Sequence, residues 1–466
     1  MVPSCFWKAC LGALVCLFLL AGPAQGSAQQ FTQSFYVDCS NPSAQPPQFS
    51  SISAAVGAAT DGTSIYVPPG MTCAENVTIG YLKNIAIATD WMATFNLIGK
   101  LTIQSSHTVE IQGMVVSNPI NDAMYPPGVG IVVNSSTDVT LAFVQSVNNI
   151  AGGLAISTSD VTINGAGTFS NNGATGINAS TNSTLYFNAW GGNVDISNNT
   201  GIGLNADRSV VGGYGNMTIN NTRAVPGATP PNGVGINEFG GAKAGIFAGF
   251  GPISISSNAG GGVLLWETSE LSLGGNISWA TNPVTVQGNG AVGITAVYGS
   301  SLTLFGTQVT GHTTAGISLY GNSQAAIAMG SASDISGNGT GTGPGRAGIV
   351  VEQGSQALVS GATIQNNGGP GILGLVHATL DVESSTFSSN AGGAIVCDQS
   401  TALATDLPHS ALGSANACTV APPGNHGHGV GNMSLGMPNW QFAKARSIKL
   451  NSMILSHHLN ATTLAK

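Results

Sequence analysis

The chain has 466 residues, of which only 11 are Lys or Arg and 19 are Asp or Glu, for a formal net charge of −8. A 42% hydrophobic content excludes a chain disordered by polarity, and so few cations exclude a nucleic-acid binder, because neutralising phosphates requires clustered Lys and Arg. The 66 glycines follow no three-residue period and are accompanied by only 21 prolines, which excludes collagen.

Residues 1–26 hold one cation, Lys8, then the apolar run from Leu11 to Leu20 and the small-residue close Ala24-Gln-Gly26. This order predicts a cleavable secretory signal cut after Gly26 and an exported, mature protein without a membrane span. Cys5, Cys10 and Cys16 leave with it. The remaining cysteines form two local pairs in sequence, Cys39 with Cys73 and Cys397 with Cys418. Four cysteines allow three connectivities, and this pairing closes the shortest loops; neither pair has metal-binding C-x-x-C spacing.

Apolar residues at Phe49, Ile52 and Val56 give residues 49–59 helical spacing. The segment is expected to cap the open end of a core built by the strand-rich remainder of the chain. From residue 128 a glycine followed by an alternating apolar strand recurs, as in Gly130-Ile-Val-Val, Gly153-Leu-Ala-Ile, Gly176-Ile-Asn-Ala, Gly233-Val-Gly-Ile, Gly262-Val-Leu-Leu, Gly316-Ile-Ser-Leu and Gly348-Ile-Val-Val. Steps of 22 to 23 residues, some lengthened by insertions, separate these glycines. A second element precedes most of them (Phe169-Ser-Asn-Asn, Ile196-Ser-Asn-Asn, Ile364-Gln-Asn-Asn), and a third follows (Val139-Thr-Leu, Val161-Thr-Ile, Leu302-Thr-Leu). Three short strands per coil cannot bury their apolar residues alone, so the coils must stack as an all-β parallel solenoid. Gly and Asn at the turns are read as residues that tolerate left-handed backbone.

The helix, the strand ending Val67-Pro-Pro-Gly70, the segment Cys73-Ala-Glu-Asn-Val-Thr-Ile79 and the Asn-rich coils together resemble the pectate-lyase-like right-handed parallel β-helix superfamily, and the coils resemble its right-handed β-helix repeat group. The resemblance spans about residues 35–400. It implies a right-handed single-stranded solenoid with three short strands per coil and a short N-terminal capping helix. The expected organisation is a signal peptide (1–26), the β-helix with its cap (27–400), and a C-terminal cap and tail (401–466). The superfamily holds lyases, glycoside hydrolases, esterases, epimerases, tailspikes, adhesins and members without a known reaction, so fold alone does not select an activity.

Residues one and three after each repeat glycine should point inward and residues two and four outward. Counting from Gly233 puts Glu238 at a turn beside Glu267, about one strand spacing (~5 Å) away, close to the carboxyl separation of a retaining glycosidase. Starting at Gly235 would bury Glu238, and that register is rejected because a buried carboxylate is costly. Trp266, Tyr298 and Tyr320 fall on successive coils as a candidate platform for sugar rings, with Glu352 and Arg346 as further ligand-binding candidates; the alternative is that the aromatics pack beneath the inserted loops. Asp138, Asp160 and Asp207, with Asp195 and Arg208, are a candidate Ca²⁺ and arginine cluster resembling that of a lyase, although Asp before a strand is also an ordinary turn residue.

The loops 223–232 and 339–347 should emerge at one corner. Polygalacturonase-like chains carry Asn-Thr-Asp, Asp-Asp, Gly-His-Gly and Arg-Ile-Lys; here only Gly427-His-Gly429 and Arg446-Ser-Ile-Lys449 occur, late and without the acidic motifs. The tail histidines His426, His428, His457 and His458 lack acidic or cysteine partners for a metal site. The sequence therefore points to an exported β-helix, extracellular or periplasmic, that binds extracellular or cell-surface polysaccharide. The alternatives are a polysaccharide lyase or glycoside hydrolase acting on a pectin-like polymer, and a structural or adhesive surface protein.

Overall fold

A computed structural model describes residues 31–120, 127–228, 232–275, 282–327, 332–407 and 418–420. The expected signal peptide and the late Gly-His-Gly, Arg-Ser-Ile-Lys and histidine segments lie outside the described residues. Among the described residues three parallel sheets form the solenoid, sheet A with 17 strands and sheets B and C with 13 each. One coil comprises Ile131–Asn134 in sheet C, Thr137–Ala142 in sheet A and Gln145–Ser146 in sheet B. The next coil pairs with it in register, Ile131 with Leu154, Val139 with Val161 and Gln145 with Thr168. This is the expected right-handed parallel β-helix.

The side-chain period of two sends Ile131, Val133, Val139 and Leu141 into one continuous core shared with every neighbouring coil. At the N-terminal end the helix Ile52–Ala58 buries Ile52, Ala55 and Val56. Ser51 caps it by accepting the Ala54 N–H at 3.0 Å, and the Glu75 carboxylate accepts the Ile52 and Ser53 N–H groups at 2.7 and 2.9 Å. Both local cysteine pairs are disulfides, Cys39–Cys73 with Cα atoms 5.4 Å apart and Cys397–Cys418 at 5.0 Å. Among the described residues no helix is long and apolar enough to cross a membrane.

Where two asparagines close a sheet B segment they have different tasks. The first adopts left-handed backbone, with φ 57° at Asn171, 57° at Asn198 and 55° at Asn366. The second is buried and joins a ladder along the helix axis. Asn149 Nδ2 donates to Asn172 Oδ1 at 2.7 Å, Asn172 Nδ2 to Asn199 Oδ1 at 2.9 Å, and Asn258 Nδ2 to Asn289 Oδ1 at 2.8 Å. Each Oδ1 also accepts the backbone N–H of the preceding rung, as Asn199 does from Asn172 at 3.1 Å.

This ladder explains the repeat glycine differently from the turn-conformation reading. Gly176 and Gly316 do not adopt left-handed backbone; instead a Cβ at Gly176 would lie 2.5 Å from Asn199 Nδ2 and 2.7 Å from the Gly203 carbonyl oxygen, and one at Gly316 would lie 2.8 Å from Asn338 Nδ2. The glycine is required for space, not for φ. A buried serine ladder runs along the turn from sheet C to sheet A, where Ser136 Oγ accepts the Ser106 N–H at 3.1 Å and Ser159 Oγ accepts the Ser136 N–H at 3.0 Å.

His312 takes the place of one asparagine. Its Nδ1 lies 2.8 Å from Asn338 Oδ1 and its Nε2 lies 3.4 Å from Asn289 Nδ2. The neutral ring with its proton on Nδ1 satisfies both contacts, whereas a protonated ring would aim a second N–H at an amide donor. Burial also lowers its pKa from the usual 6.5, with the Asn338 contact acting in the opposite direction.

Two outcomes are expected. Asn199→Ala leaves the Asn172 N–H and the Phe169 carbonyl without this buried partner, and should cost about 2–4 kcal/mol in denaturant unfolding. With His312 the unfolded chain binds the proton more readily, so its contribution is complete above about pH 6.5 and is lost as pH falls towards the folded value. His312→Asn should remove that acid-side loss when unfolding is followed from pH 7.5 to 5.

Candidate functional site

Where sheet C turns into sheet A, successive coils use the same two-residue reversal. Left-handed pairs occupy Glu267-Thr268, Tyr298-Gly299, Gly321-Asn322 and Gln353-Gly354. A buried serine follows each pair, and three of these serines donate Oγ–H back across the turn: Ser269 to the Trp266 carbonyl at 2.7 Å, Ser300 to that of Val297 at 2.7 Å, and Ser323 to that of Tyr320 at 2.9 Å. The backbone bearing the aromatic side chains is thereby fixed from inside.

Trp266, Val297, Tyr320 and Glu352 hold equivalent places before the turn, while Tyr298 lies one residue further on. Tyr298 consequently bridges its neighbours, with ring centroids 5.8 Å from Trp266 and 6.1 Å from Tyr320. The three rings meet in a row in which Tyr298 is 52% exposed and Trp266 and Tyr320 are half-buried. The loops 223–232 and 339–347 do share a corner, as far as they are described, but it is the asparagine-ladder corner at the other edge of sheet C. A strand of five or six residues, roughly 16–20 Å, separates that corner from the aromatic row. Arg346, in the second of these loops, donates to the Gly341 carbonyl at 3.2 Å and lies at the opposite end of the strand Ala347–Glu352 from Glu352.

The charge around the row is negative or paired. Glu267 is exposed beside Trp266, and Glu352 follows Tyr320 one coil on. On the same flank Asp207 binds Arg208 at 3.0 Å and Lys243 binds Glu270 at 3.1 Å.

The register expected near Gly233 is corrected. Ala206 and Leu265 flank Glu238, both facing the core, and Gly235 is the glycine in line with the repeat. Glu238 is fully buried, and neither carboxyl oxygen has a hydrogen-bond partner among the described residues. It therefore does not form an outward carboxylate pair with Glu267. Burial, and secondarily the negative charge of Glu270, raises its pKa well above 4.5, so the group is held as the neutral acid.

The candidate Ca²⁺ cluster does not assemble. Asp138 and Asp160 begin adjacent sheet A strands, and Asp138 accepts from Thr108 Oγ1 at 3.2 Å. Asp207 ends a sheet C strand two coils beyond Asp160, about 10 Å along the axis, and is engaged by Arg208, while Asp195 lies in sheet B bonded to Ser197. Among the described residues the one group of three close potential ligands is Cys39, Cys73 and Glu75; its sulfurs are bonded to each other and its carboxylate holds the helix N-terminus.

A polar and aromatic patch on the outer face of sheet A was not foreseen from the sequence. Glu110 lies in the strand His107–Gln112 between Ala86 and Thr140, only 6% exposed, and burial raises its pKa to about 7. Trp91, Phe143 and Trp190 cluster nearby with centroid separations of 5.1, 5.9 and 6.0 Å. The one legible sign was an acid among the alternating apolar residues of Val109-Glu-Ile111.

A family model described as right handed beta helix region matches residues 261–406. Among solved structures, the Azotobacter vinelandii mannuronan C-5 epimerase AlgE6 A-module is 14% identical, covering 77% of this chain and 94% of its own with a TM-score of 0.39. Pectate lyase Pel9A is 13% identical, covering 77% and 79% with a TM-score of 0.30. A GH87 α-1,3-glucanase catalytic domain is 13% identical, covering 80% and 68% with a TM-score of 0.27. No curated protein matches the chain.

Glu238→Leu should stabilise the protein at pH 7 by roughly 1–3 kcal/mol, because it replaces an unpartnered buried acid with the residue already present at position 265 on the next coil. Wild-type stability should also fall as pH rises above 4.5, where the unfolded carboxyl ionises and the folded one does not. In Glu238→Leu that contribution to the alkaline decline should be absent.

Proposed function

We propose that this chain, a right-handed parallel β-helix protein, is exported and binds extracellular or cell-surface polysaccharide along the row Trp266, Tyr298 and Tyr320. The observation that carries this reading is the row itself: three rings in near contact, with their turns locked by buried serine hydroxyls. Apolar faces of sugar rings stack on such side chains, and a row parallel to the helix axis suits a linear chain. Rigid placement also limits the entropy lost on binding. Two disulfides accord with an oxidising compartment.

The carboxylates of Glu267 and Glu352 beside the row, with Arg208 and Lys243 already paired, favour an uncharged polymer over a polyuronate. The proposal is for binding. Enzymatic cleavage of a pectin-like polymer has less support, since the expected outward acid pair and calcium cluster are not assembled.

Affinity electrophoresis through gels containing a neutral glucan, mannan or xylan, with polygalacturonate as comparison, tests this reading. Retardation by at least one neutral polymer is expected, with Trp266→Ala/Tyr298→Ala weakening it about tenfold or more. Retardation by polygalacturonate alone, or retardation unchanged in the double variant, would overturn it. New reducing ends or unsaturated products on incubation with these polymers would instead establish catalysis.

A further inference from the structure

The column of outward residues that carries the aromatic row begins one coil before Trp266. Phe239 follows Glu238 as Trp266 follows Leu265, and Glu238 pairs with Leu265, so Phe239 and Trp266 stand side by side at the end of sheet C. Phe239 is 40% exposed. Its carbonyl accepts the Arg208 N–H of the preceding coil at 3.0 Å and the Ala242 N–H across its own turn at 3.3 Å. That turn is again a left-handed pair, Gly240-Gly241, with φ 67° and 79°. With Phe239 included, four consecutive coils each present one aromatic ring at this corner: Phe239, Trp266, Tyr298 and Tyr320.

The column changes character at both ends. On the coil before Phe239 the aligned residue is Asp207, paired with Arg208, and on the coil after Tyr320 the equivalent place holds Glu352. A charged side chain keeps its water and offers a sugar ring no apolar face to stack on. The platform is therefore finite, with three strand spacings, roughly 14 Å, between its first and last coils. The step from coil to coil is close to the advance of one pyranose residue in an extended chain, which sets one sugar against each ring. Thr295 and Ser318 lie side by side on the same outer face, two residues before Val297 and Tyr320, and both are partly exposed. Hydroxyls at these places can donate to, or accept from, the edge of a sugar chain lying on the rings.

Given that the row binds polysaccharide, we propose that it takes a run of four contiguous uncharged sugars, with Phe239 as the fourth platform and Thr295 and Ser318 bonding sugar hydroxyls along one edge. A trisaccharide can sit on either of two sets of three adjacent rings, so it loses little when Phe239 is removed. A tetrasaccharide needs all four.

Calorimetric titration of the full mature chain with linear glucose, mannose and xylose oligosaccharides of two to six units tests this. In a series that binds, affinity should rise about fivefold or more from three units to four and stay within about twofold from four to six. Phe239→Ala should erase the three-to-four step and leave trisaccharide affinity within about twofold, and Phe239→Tyr should retain the step. Thr295→Val/Ser318→Ala should weaken tetrasaccharide binding about threefold or more. A rise that continues to six units, one complete at three, or a tetrasaccharide affinity unchanged in Phe239→Ala would overturn the four-sugar site. The row itself would stand in those cases provided Trp266→Ala/Tyr298→Ala weakens binding. Unchanged affinity in Thr295→Val/Ser318→Ala would overturn the edge contacts. Binding indifferent to Trp266→Ala/Tyr298→Ala, or no binding in any series, would overturn the row and the four-sugar site together.

Discussion

The buried asparagine ladder is the constraint on which the rest of this molecule depends. Most rungs join one coil to the next through a side-chain amide that is out of water, with Thr222 and His312 in the equivalent place on two coils, so a missing partner leaves a donor or acceptor stranded. The ladder admits no side chain at the glycine that follows it. Hence the same sequence feature repeats at Gly176, Gly203, Gly262 and Gly316. A one-residue slip would move the amide out of line and turn the inward residues outward together.

That register gives the surface its usefulness. Since every coil reaches the sheet C to sheet A turn at the same point, single residues on separate coils become neighbours in space. Trp266, Tyr298 and Tyr320 are 32 and 22 residues apart in sequence yet form one row. The serine hydroxyls beneath them perform at this corner the anchoring that asparagine performs at the other. Few charges are used because inward places are apolar and ladder places need small amides and hydroxyls, so an isolated acid such as Glu110 or Glu238 is conspicuous.

The coil period, three strands, capping helix and both disulfides were legible because they rest on local signals: glycine spacing, period-two alternation and cysteine proximity. The aromatic row was legible for the same reason. Glu238 was misplaced because Gly233-Val-Gly235 offers two starts, and the aversion of carboxylates to burial selected the wrong one. Ladder packing decides the register there, and it can be assessed only with Asn258 Nδ2 and the Gly262 carbonyl in place against Gly235. The Glu110 patch was hidden because its parts, from Trp91 to Trp190, are brought together only by stacking several coils. Asp138, Asp160 and Asp207 were grouped by type and spacing; the first two do start adjacent sheet A strands, but Asp207 lies two coils beyond Asp160.

The claim that a rigid coil register presents a glycan-binding row is tested most directly by a crystal structure of the mature chain with a neutral hexasaccharide that it retains. Sugar rings stacked in turn on Trp266, Tyr298 and Tyr320, with the chain running parallel to the solenoid axis, are the predicted result. A ligand crossing the axis, or one that leaves these three rings uncovered while occupying the opposite corner beside Arg346, would contradict it.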